Sequence, residues 1–227
     1  MPTAPLLEVR GLSIELPSRP ILSHAAFEIP AGTIVGLTGD SGCGKTTLAL
    51  ALLRLLPDRY TVRGSIRLRE RELMTLSERQ LERCRGAEIS MVFQDPQRAL
   101  NPVMRVRHQV AEVVRAHGGT ENPKRLLDLV ELPAADRIGD AYPHQLSGGE
   151  RQRVCLALAL AASPSLVIAD EPFSALDAPK VVQLGRLFRS LQQQLQVSFL
   201  LIGHSRKLLA KLADRVMVMR DGLLDGS

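Results

Sequence analysis

Aromatic residues are scarce in this 227-residue sequence. Tryptophan is absent, and Phe and Tyr together bring aromatics to only 3%. A protein that binds single-stranded nucleic acid by stacking successive bases needs several exposed rings, so the composition disfavours that mode of binding. Cysteine is also sparse, because Cys43, Cys84 and Cys155 lie far apart and form no CxxC pair. This spacing gives no support to a zinc or dithiol motif and favours free thiols in a reducing compartment.

Long hydrophobic segments are missing as well. The longest candidates, Leu48–Leu56 and Val154–Ala162, are either interrupted by Arg54 or too short to cross a bilayer. Residues 1–5 lack a basic segment followed by an apolar core, which argues against a signal peptide. If the protein acts at a membrane, we expect it to associate with the membrane surface without spanning the bilayer.

The remaining composition is that of a globular protein with a core. Hydrophobic residues make up 45% and charged residues 23%, which excludes a disordered chain, a collagen-like chain and a disulfide mini-scaffold. Lys and Arg number 29 against 24 Asp and Glu, a formal charge of +5. This excess permits nucleotide, nucleic acid or an anionic membrane as partner, but a solvated basic surface is the simpler interpretation.

Strands that alternate with helices predict an α/β domain with a parallel core. The alternating residues 6–10 and 12–16 predict strands of a half-exposed antiparallel sheet. Pro57 is expected to stop the helix that follows a glycine-rich loop. The other predicted buried strands are 33–38, 89–93, 166–169 and 198–202, with a closing hairpin at 216–219 and 222–224; the other helices are 76–85, 106–132 (interrupted at 118–119) and 148–162. The helix-only stretch of about 97–161 predicts a subdomain inserted into the core.

The strongest motif is Gly39–Thr46, which matches G-x-x-x-x-G-K-[ST] between a predicted buried strand and a helix. Its glycines let the backbone curl so that successive N–H groups face one anion, and the following helix adds its positive end. Lys45 is placed to reach the β- and γ-phosphates of a nucleotide, and the Thr46 hydroxyl is placed to bind Mg²⁺.

A second motif joins the apolar segment Leu166–Ala169 to the carboxylates of Asp170 and Glu171. The carboxyl ends of parallel strands are where open α/β sheets bind ligands. With the phosphate loop nearby, Asp170 is a candidate Mg²⁺ ligand and Glu171 a candidate to polarise the attacking water. Taken alone, an apolar strand that ends in Asp-Glu is equally well a structural feature.

A third motif is Leu146–Arg153, in which Ser147-Gly148-Gly149 precedes a predicted helix. These residues either cap the helix or form an anion site at its start. Read together, the three motifs resemble the ABC transporter ATPase family, and 146–152 is very close to that family's signature sequence. The resemblance extends from about residue 7 to residue 222.

The resemblance implies a P-loop NTPase fold with a RecA-like core, an N-terminal antiparallel β-subdomain and an inserted α-helical signature subdomain. The chain is then one domain over 1–227, with the core at about 1–96 and 162–227 and the helical subdomain at about 97–161. In this family two cassettes pack head to tail with ATP between the phosphate loop of one and the signature of the other. ATP and Mg²⁺ are the implied cofactors.

The resemblance also assigns roles to single residues. Gln94 matches the Q-loop, Asp177 lies in the D-loop match at 174–177, and His204 matches the switch histidine. A lone histidine after a buried strand is otherwise more often structural. The implied catalytic residues are Lys45, Gln94, Glu171 and His204; the implied metal ligands are Thr46, Gln94 and Asp170; and the implied nucleotide contacts are Gly39, Asp40, Ser41, Gly42, Cys43, Gly44, Lys45, Thr46, Thr47, Ser147, Gly148, Gly149 and Asp177.

Segments around the motifs indicate a branch of the family. Residues 93–96, 99–102, 55–57 and 142–149 resemble the oligopeptide, dipeptide and nickel importer ATPases. The implied partners are a second ABC ATPase subunit, identical or different, two transmembrane permeases and, indirectly, a periplasmic solute-binding protein; no nucleic acid is expected. The implied location is the cytoplasmic face of the inner membrane, as a peripheral subunit.

The sequence departs from the family pattern in three places. The family usually stacks adenine on an aromatic residue at a position that corresponds to about Leu16-Pro17, where none is present. Ser205 follows the switch histidine, where an acidic residue is common. Importer ATPases of this branch usually continue past the position of Ser227 with a proline-containing tail.

Two other function classes compete with the importer subunit. A soluble ABC-type ATPase acting on DNA or ribosomes is compatible with the basic charge, but no long heptad run or CxxC pair of the usual insertions is present. A regulatory module that binds ATP without turnover is the other alternative, and Glu171 and His204 argue against it.

Overall fold

The computed structural model describes residues 5–174 and 176–225. It contains two sheets, a four-stranded sheet of order β2-β1-β4-β5 and a six-stranded sheet of order β10-β9-β3-β8-β7-β6. The elements are β1 (Leu7–Leu16), β2 (Arg19–Ile29), β3 (Ile34–Gly39), α1 (Lys45–Leu52), β4 (Thr61–Leu68), β5 (Arg71–Glu72), α2 (Glu78–Cys84), β6 (Ile89–Val92), α3 (Pro96–Ala99), α4 (Val106–Ala116), α5 (Pro123–Leu129), α6 (Ala135–Asp140), α7 (Gly148–Leu160), β7 (Leu166–Asp170), α8 (Ala178–Leu195), β8 (Ser198–Gly203), α9 (Arg206–Leu212), β9 (Arg215–Arg220) and β10 (Leu223–Asp225).

The four-stranded sheet is antiparallel, as predicted, but its first strand is continuous. The two short strands predicted at 6–10 and 12–16 form a single strand, β1, whose register against both neighbours shifts near Gly11. Gly11 has a φ of +58°, and a Cβ on Gly64 of β4 would lie 2.7 Å from the Gly11 carbonyl oxygen. The break in alternation is therefore a bulge at which two backbones approach closely, rather than the end of a strand.

The six-stranded sheet is the parallel core. Strands β6, β7, β8, β3 and β9 run parallel, and β10 closes the edge as the predicted antiparallel hairpin. Alternate residues enter two different hydrophobic clusters: Val167 and Phe199 pack on one face, and Ile168 and Leu200 on the other. Because both faces are buried, these strands are continuous apolar runs, and the carboxyl ends of β3, β7 and β8 meet at one edge.

The first helix ends earlier than predicted. The sequence predicts that Pro57 stops it, but α1 ends at Leu52, and Arg54 adopts a left-handed conformation with φ +50°. The guanidinium of Arg54 donates to the carbonyls of Leu73 and Leu76 at 3.1 and 2.9 Å. These tertiary contacts fix the chain direction before the proline is reached.

Helices α3 to α7 occupy residues 96–160, and no strand lies between β6 and β7 in this part of the chain. The amphipathic stretch 106–132 divides into α4 and α5 around Gly118, which has a φ of +70°. Asn122 caps α5 by accepting a hydrogen bond from the Lys124 N–H at 2.9 Å. None of the helices in 5–174 and 176–225 is both long and apolar enough to span a bilayer.

Candidate active site

The phosphate loop leaves β3 at Gly39 and enters α1 at Lys45. Lys45 is only 5% exposed, and its ammonium group donates to the carbonyl oxygens of Gly39 at 2.9 Å and Asp40 at 2.8 Å. Its side chain thus lies across the loop, and its ammonium group is hydrogen-bonded to loop carbonyls. An incoming polyphosphate is a stronger acceptor than these carbonyls.

Two glycines of the loop have no room for a side chain. A Cβ on Gly39 would lie 2.2 Å from the carbonyl oxygen of Met219, since β3 and β9 pair closely there. Gly44 has a φ of +110°, and a Cβ on it would lie 2.9 Å from Cγ2 of Ile21. The tight turn therefore depends on glycine at both positions.

Asp170 lies at the end of β7 and holds the start of α1. Its Oδ2 accepts a hydrogen bond from the Thr46 hydroxyl at 2.8 Å. The side chain is 2% exposed, and its Oδ1 has no hydrogen-bond partner among the residues that the structure describes. Burial raises the pKa of Asp170, while the Thr46 hydrogen bond opposes the rise. A buried carboxylate oxygen without a partner, beside a hydroxyl, fits the oxygen ligands that Mg²⁺ prefers.

Glu171 is held between two side chains from neighbouring strands. Its Oε2 accepts from the Gln94 amide at 2.9 Å, and its Oε1 lies 2.5 Å from Nε2 of His204. The backbone of Glu171 is left-handed with φ +49°, and its N–H donates to the carbonyl of Ile202 at 3.0 Å. The Thr38 hydroxyl donates to the His204 carbonyl at 3.2 Å, which ties this histidine to β3. The carboxylate is therefore fixed in direction.

The phosphate loop and the side chains of Gln94, Glu171 and His204 line one cleft of about 260 Å³ at the carboxyl edge of the sheet, and Asp170 is linked to it through Thr46. The structure brings together two parts that the sequence separates: the phosphate loop, which runs directly into α1, and the Gln94–Glu171–His204 cluster. The lining residues are Ser41, Gly42, Gly44, Lys45, Thr46, Thr47, Gln94, Glu171 and His204. The cleft thus offers backbone N–H groups, one ammonium, one carboxylate and one imidazole. These groups can bind a polyphosphate and hydrolyse it.

The predicted signature residues lie elsewhere in the same chain. Ser147, Gly148 and Gly149 line another cleft, of about 780 Å³, which Gln94 and Glu171 also line. A Cβ on either glycine would meet nothing within 4 Å, so this helix start is open. The three residues are not among those that line the phosphate-loop cleft.

Asp177 also lies apart from the phosphate loop. It caps α8, accepting from the Lys180 N–H at 3.0 Å and pairing with the Lys180 ammonium at 2.8 Å. The hydrogen bonds from Lys180 lower the pKa of Asp177. Ala175, in the predicted D-loop at 174–177, lies outside the described residues.

The structure adds residues that sequence reasoning missed. The Gln152 amide donates to the carbonyl of Pro172, and Arg151 donates to the carbonyl of Leu146 at 2.6 Å. The first contact links α7 to the residue that follows Glu171. Both partners are backbone carbonyls, which leave no trace in a sequence pattern, so only their place in the signature match hinted at a role.

The site defines a P-loop nucleotide-binding domain. It combines a β-strand, a glycine-rich loop that ends in Lys45, and a second strand that ends in the carboxylates of Asp170 and Glu171. The sequence pattern described as "ABC transporter" matches residues 22–174. The chain belongs to the ABC transporter family and is an ATPase of the ABC type.

Similar proteins agree with this assignment. A Brucella abortus protein named for peptide import ATP binding is 42% identical over 97% of this chain and 70% of its own length. The glutathione import ATP-binding protein GsiA of Salmonella typhimurium is 40% identical over 96% of this chain and 38% of its own. The names of these relatives agree with the peptide half of the predicted importer branch.

Solved structures confirm the predicted fold class. The ATP-binding cassette MJ0796, in a dimeric post-hydrolysis state with ADP and Pi, has a TM-score of 0.82 at 24% identity, covering 96% of each chain. The protein cbiO1 of Clostridium perfringens has a TM-score of 0.83 at 23% identity over 98% of this chain and 87% of its own. At these identities the likeness concerns the fold.

Proposed function

We propose that this chain is the ATP-hydrolysing subunit of an ABC importer for peptides, working at the cytoplasmic face of the membrane. The observation that carries the proposal is the Glu171 carboxylate, held by Gln94 and His204 over the cleft that contains Lys45 and Thr46. The names of the relatives in Brucella and Salmonella support a peptide as the solute. Nickel, the other predicted solute, has no such support.

The phosphate loop and Lys45 bind the nucleotide. The N–H groups of the loop face the phosphates, and the Lys45 ammonium exchanges the carbonyls of Gly39 and Asp40 for the β- and γ-phosphate oxygens. Thr46 and Asp170 would hold Mg²⁺, with Gln94 as the further predicted ligand. When bound, Mg²⁺ neutralises charge on the β- and γ-phosphates.

Glu171 acts as the general base for hydrolysis. Its carboxylate orients a water and takes up a proton as the water oxygen bonds to the γ-phosphorus and the bond to the β-phosphate oxygen breaks. Gln94 and His204 each hold one oxygen of this carboxylate. Each oxygen has a second lone pair that can accept from the water, and the His204 contact opens once the nucleotide is bound. His204 is then free to donate to the γ-phosphate.

The open signature points to a second cassette. Ser147, Gly148 and Gly149 do not line the phosphate-loop cleft, so a head-to-tail partner would place them on a nucleotide. Each chain then supplies one phosphate loop and one signature, and ATP joins the two. The partner is a second copy of this chain or another ATPase with the same two parts, and Asp177 would contact the opposite active site.

An apolar groove beside Gln94 is the proposed permease contact. It measures about 280 Å³ and runs between α1, β6 and α7. Leu55 and Phe93 border it and are 41% and 46% exposed. Two transmembrane permeases would each dock one cassette here, with a periplasmic binding protein delivering the peptide. Because Gln94 follows Phe93 and its amide donates to Glu171, a movement of the groove would reach the catalytic carboxylate.

Asp170→Asn is expected to stabilise the protein in the absence of metal and to abolish its use of Mg²⁺. Burial raises the pKa of Asp170 in the folded state, so folding favours the neutral carboxyl group. The neutral group stabilises the fold below the ordinary aspartate pKa, and this stabilisation is lost as the pH rises through the raised pKa. Asn stays neutral, so we expect a gain of about 1 kcal/mol, or about 2–4 °C in Tm, at pH 7 without Mg²⁺.

Thermal melting with and without Mg²⁺, together with turnover against Mg²⁺ concentration, tests this. Asp58→Asn on the exposed loop after α1 is the matched control. A variant that melts like wild type and keeps the same Mg²⁺ requirement would contradict the assignment of Asp170.

Leu16→Tyr is expected to tighten ATP binding about fivefold, since an aromatic contact adds about 1 kcal/mol. Ile21 packs against Gly44, so the turn between β1 and β2 runs beside the phosphate loop, and Leu16 is half-buried at that turn. No aromatic residue lines the cleft among the described residues. Calorimetric titration with ATP measures the gain, and Val103→Tyr, at an 82% exposed position far along the chain, is the control. Equal ATP affinities for the two variants would show that the adenine base does not lie beside Leu16.

The proposed function is tested by measuring phosphate release from Mg-ATP by the purified chain. We expect saturable turnover that duplex DNA and ribosomes do not stimulate. Turnover that appears only with DNA or ribosomes would favour the soluble-ATPase alternative, and ATP binding with no turnover would favour the regulatory alternative.

A further inference from the structure

The start of α7 carries a negative charge close to its open glycines. Ser147 and Glu150 form a reciprocal cap: the Ser147 hydroxyl accepts from the Glu150 N–H at 3.3 Å, and Glu150 Oε2 accepts from the Ser147 N–H at 2.8 Å. These contacts, led by the Ser147 hydrogen bonds, lower the pKa of Glu150, so the group is ionised at neutral pH.

This carboxylate conflicts with an anion. In the proposed function, Ser147, Gly148 and Gly149 face the terminal phosphate of the nucleotide on the partner cassette. Glu150 lies in the first turn of the same helix, and one turn rises only about 5.4 Å. A carboxylate at this range repels a polyphosphate unless its charge is neutralised.

Arg137 supplies the neutralising charge. Its guanidinium, on α6, donates to Glu150 Oε1 at 2.6 Å, while the other oxygen of Glu150 stays on the Ser147 N–H. Two nearby arginines are engaged elsewhere: Arg151 with the carbonyl of Leu146 and Arg153 with the carbonyl of Val130. Within 5–174 and 176–225, Arg137 is the only cation within 4 Å of the Glu150 carboxylate.

We propose that Arg137 is a positioning residue for ATP hydrolysis, which neutralises Glu150 and holds it on Ser147 so that the signature can accept the phosphates bound to the partner cassette. The proposal rests on the proposed function, because it requires the signature to meet a nucleotide. It also assigns α6 a role in the composite site, although α6 itself does not line the phosphate-loop cleft.

A double-mutant cycle tests the proposal. Arg137→Gln leaves Glu150 charged and unpaired, and we expect KM for Mg-ATP to rise about tenfold with a smaller change in kcat. Glu150→Gln keeps an acceptor for the Ser147 N–H without the charge, and in this background Arg137→Gln is expected to change KM less than twofold. The defect of Arg137→Gln alone should shrink as salt rises from 50 to 500 mM, because salt screens the repulsion.

Arg125→Gln is the control, since it removes another arginine ion pair of the helical segment, the 3.5 Å contact with Glu121. Thermal melting of every variant shows that the fold is retained. A KM of Arg137→Gln equal to that of wild type, or an equal rise in KM in both backgrounds that salt leaves unchanged, would overturn the positioning role alone. Absence of wild-type turnover would overturn the proposed function and this inference with it.

Discussion

Glu171→Gln is expected to lower Mg-ATP turnover by about 10²–10⁴-fold while leaving ATP binding intact. The amide preserves the size of the side chain and one acceptor oxygen for Gln94 or His204, but it cannot take up a proton from the attacking water. Since ATP is then bound and not consumed, the ATP-bound pair of cassettes should accumulate. Phosphate release measures the loss, and light scattering with and without Mg-ATP measures the dimer.

Glu82→Gln is the matched control, because Glu82 is an exposed glutamate on α2 with no ion pair in the described chain. It should match wild type in both measurements. A Glu171→Gln protein that retains a tenth or more of wild-type turnover would show that another group activates the water, and the assignment of Glu171 would be wrong.

Lys45→Ala is expected to weaken ATP binding about 100-fold and to abolish turnover at millimolar ATP. The ammonium is the only side-chain cation that lines the described cleft, and each charge-assisted contact to phosphate contributes about 1.5–3 kcal/mol. The loop carbonyls of Gly39 and Asp40 lose their donor as well, so the loop becomes less well fixed. Titration calorimetry with ATP measures the affinity.

Lys211→Ala, at an exposed position on α9, is the control for general loss of positive charge. It should bind ATP like wild type. An equal loss of affinity in both variants would show that the overall basic charge, rather than the lysine of the loop, attracts the nucleotide.

The sequence predicts the phosphate loop and the acidic end of β7 well, because both are formed by residues that are close together in the chain. Gly39–Thr46 specifies a turn, a helix start and a lysine within eight residues, and the loop forms between β3 and α1 as expected. The strand that delivers Asp170 and Glu171 is likewise recognisable as a buried apolar run. Both motifs depend on neighbours in the chain, so a single sequence is sufficient to find them.

The cluster around Glu171 depends on long-range packing. Gln94 follows β6, Glu171 follows β7 and His204 follows β8, and nothing in their spacing states that these strands are adjacent. The family resemblance singled out the three residues, but the contacts between them are a finding of the structure. The same holds for Arg137, whose partner lies 13 residues away on another helix.

Two errors in the predicted elements also have tertiary causes. The helix α1 ends at Leu52, where the contacts of Arg54 with the carbonyls of Leu73 and Leu76 redirect the chain before Pro57 is reached. The apparent break in β1 is a bulge where Gly11 meets Gly64 on the next strand. No prediction covered 178–195, which form α8 with a buried face of Leu184, Leu187 and Leu191.

The most direct test of the importer proposal is affinity purification of tagged Glu171→Gln chain from detergent-solubilised native membranes in Mg-ATP. The variant retains ATP, so the closed assembly should survive the purification. We predict that two hydrophobic permease subunits and a second ATPase, either this chain or a related one, co-purify, and that Phe93→Ser in the apolar groove releases the permeases. Recovery of ribosomal proteins or nucleic acid in place of permeases would contradict the proposal.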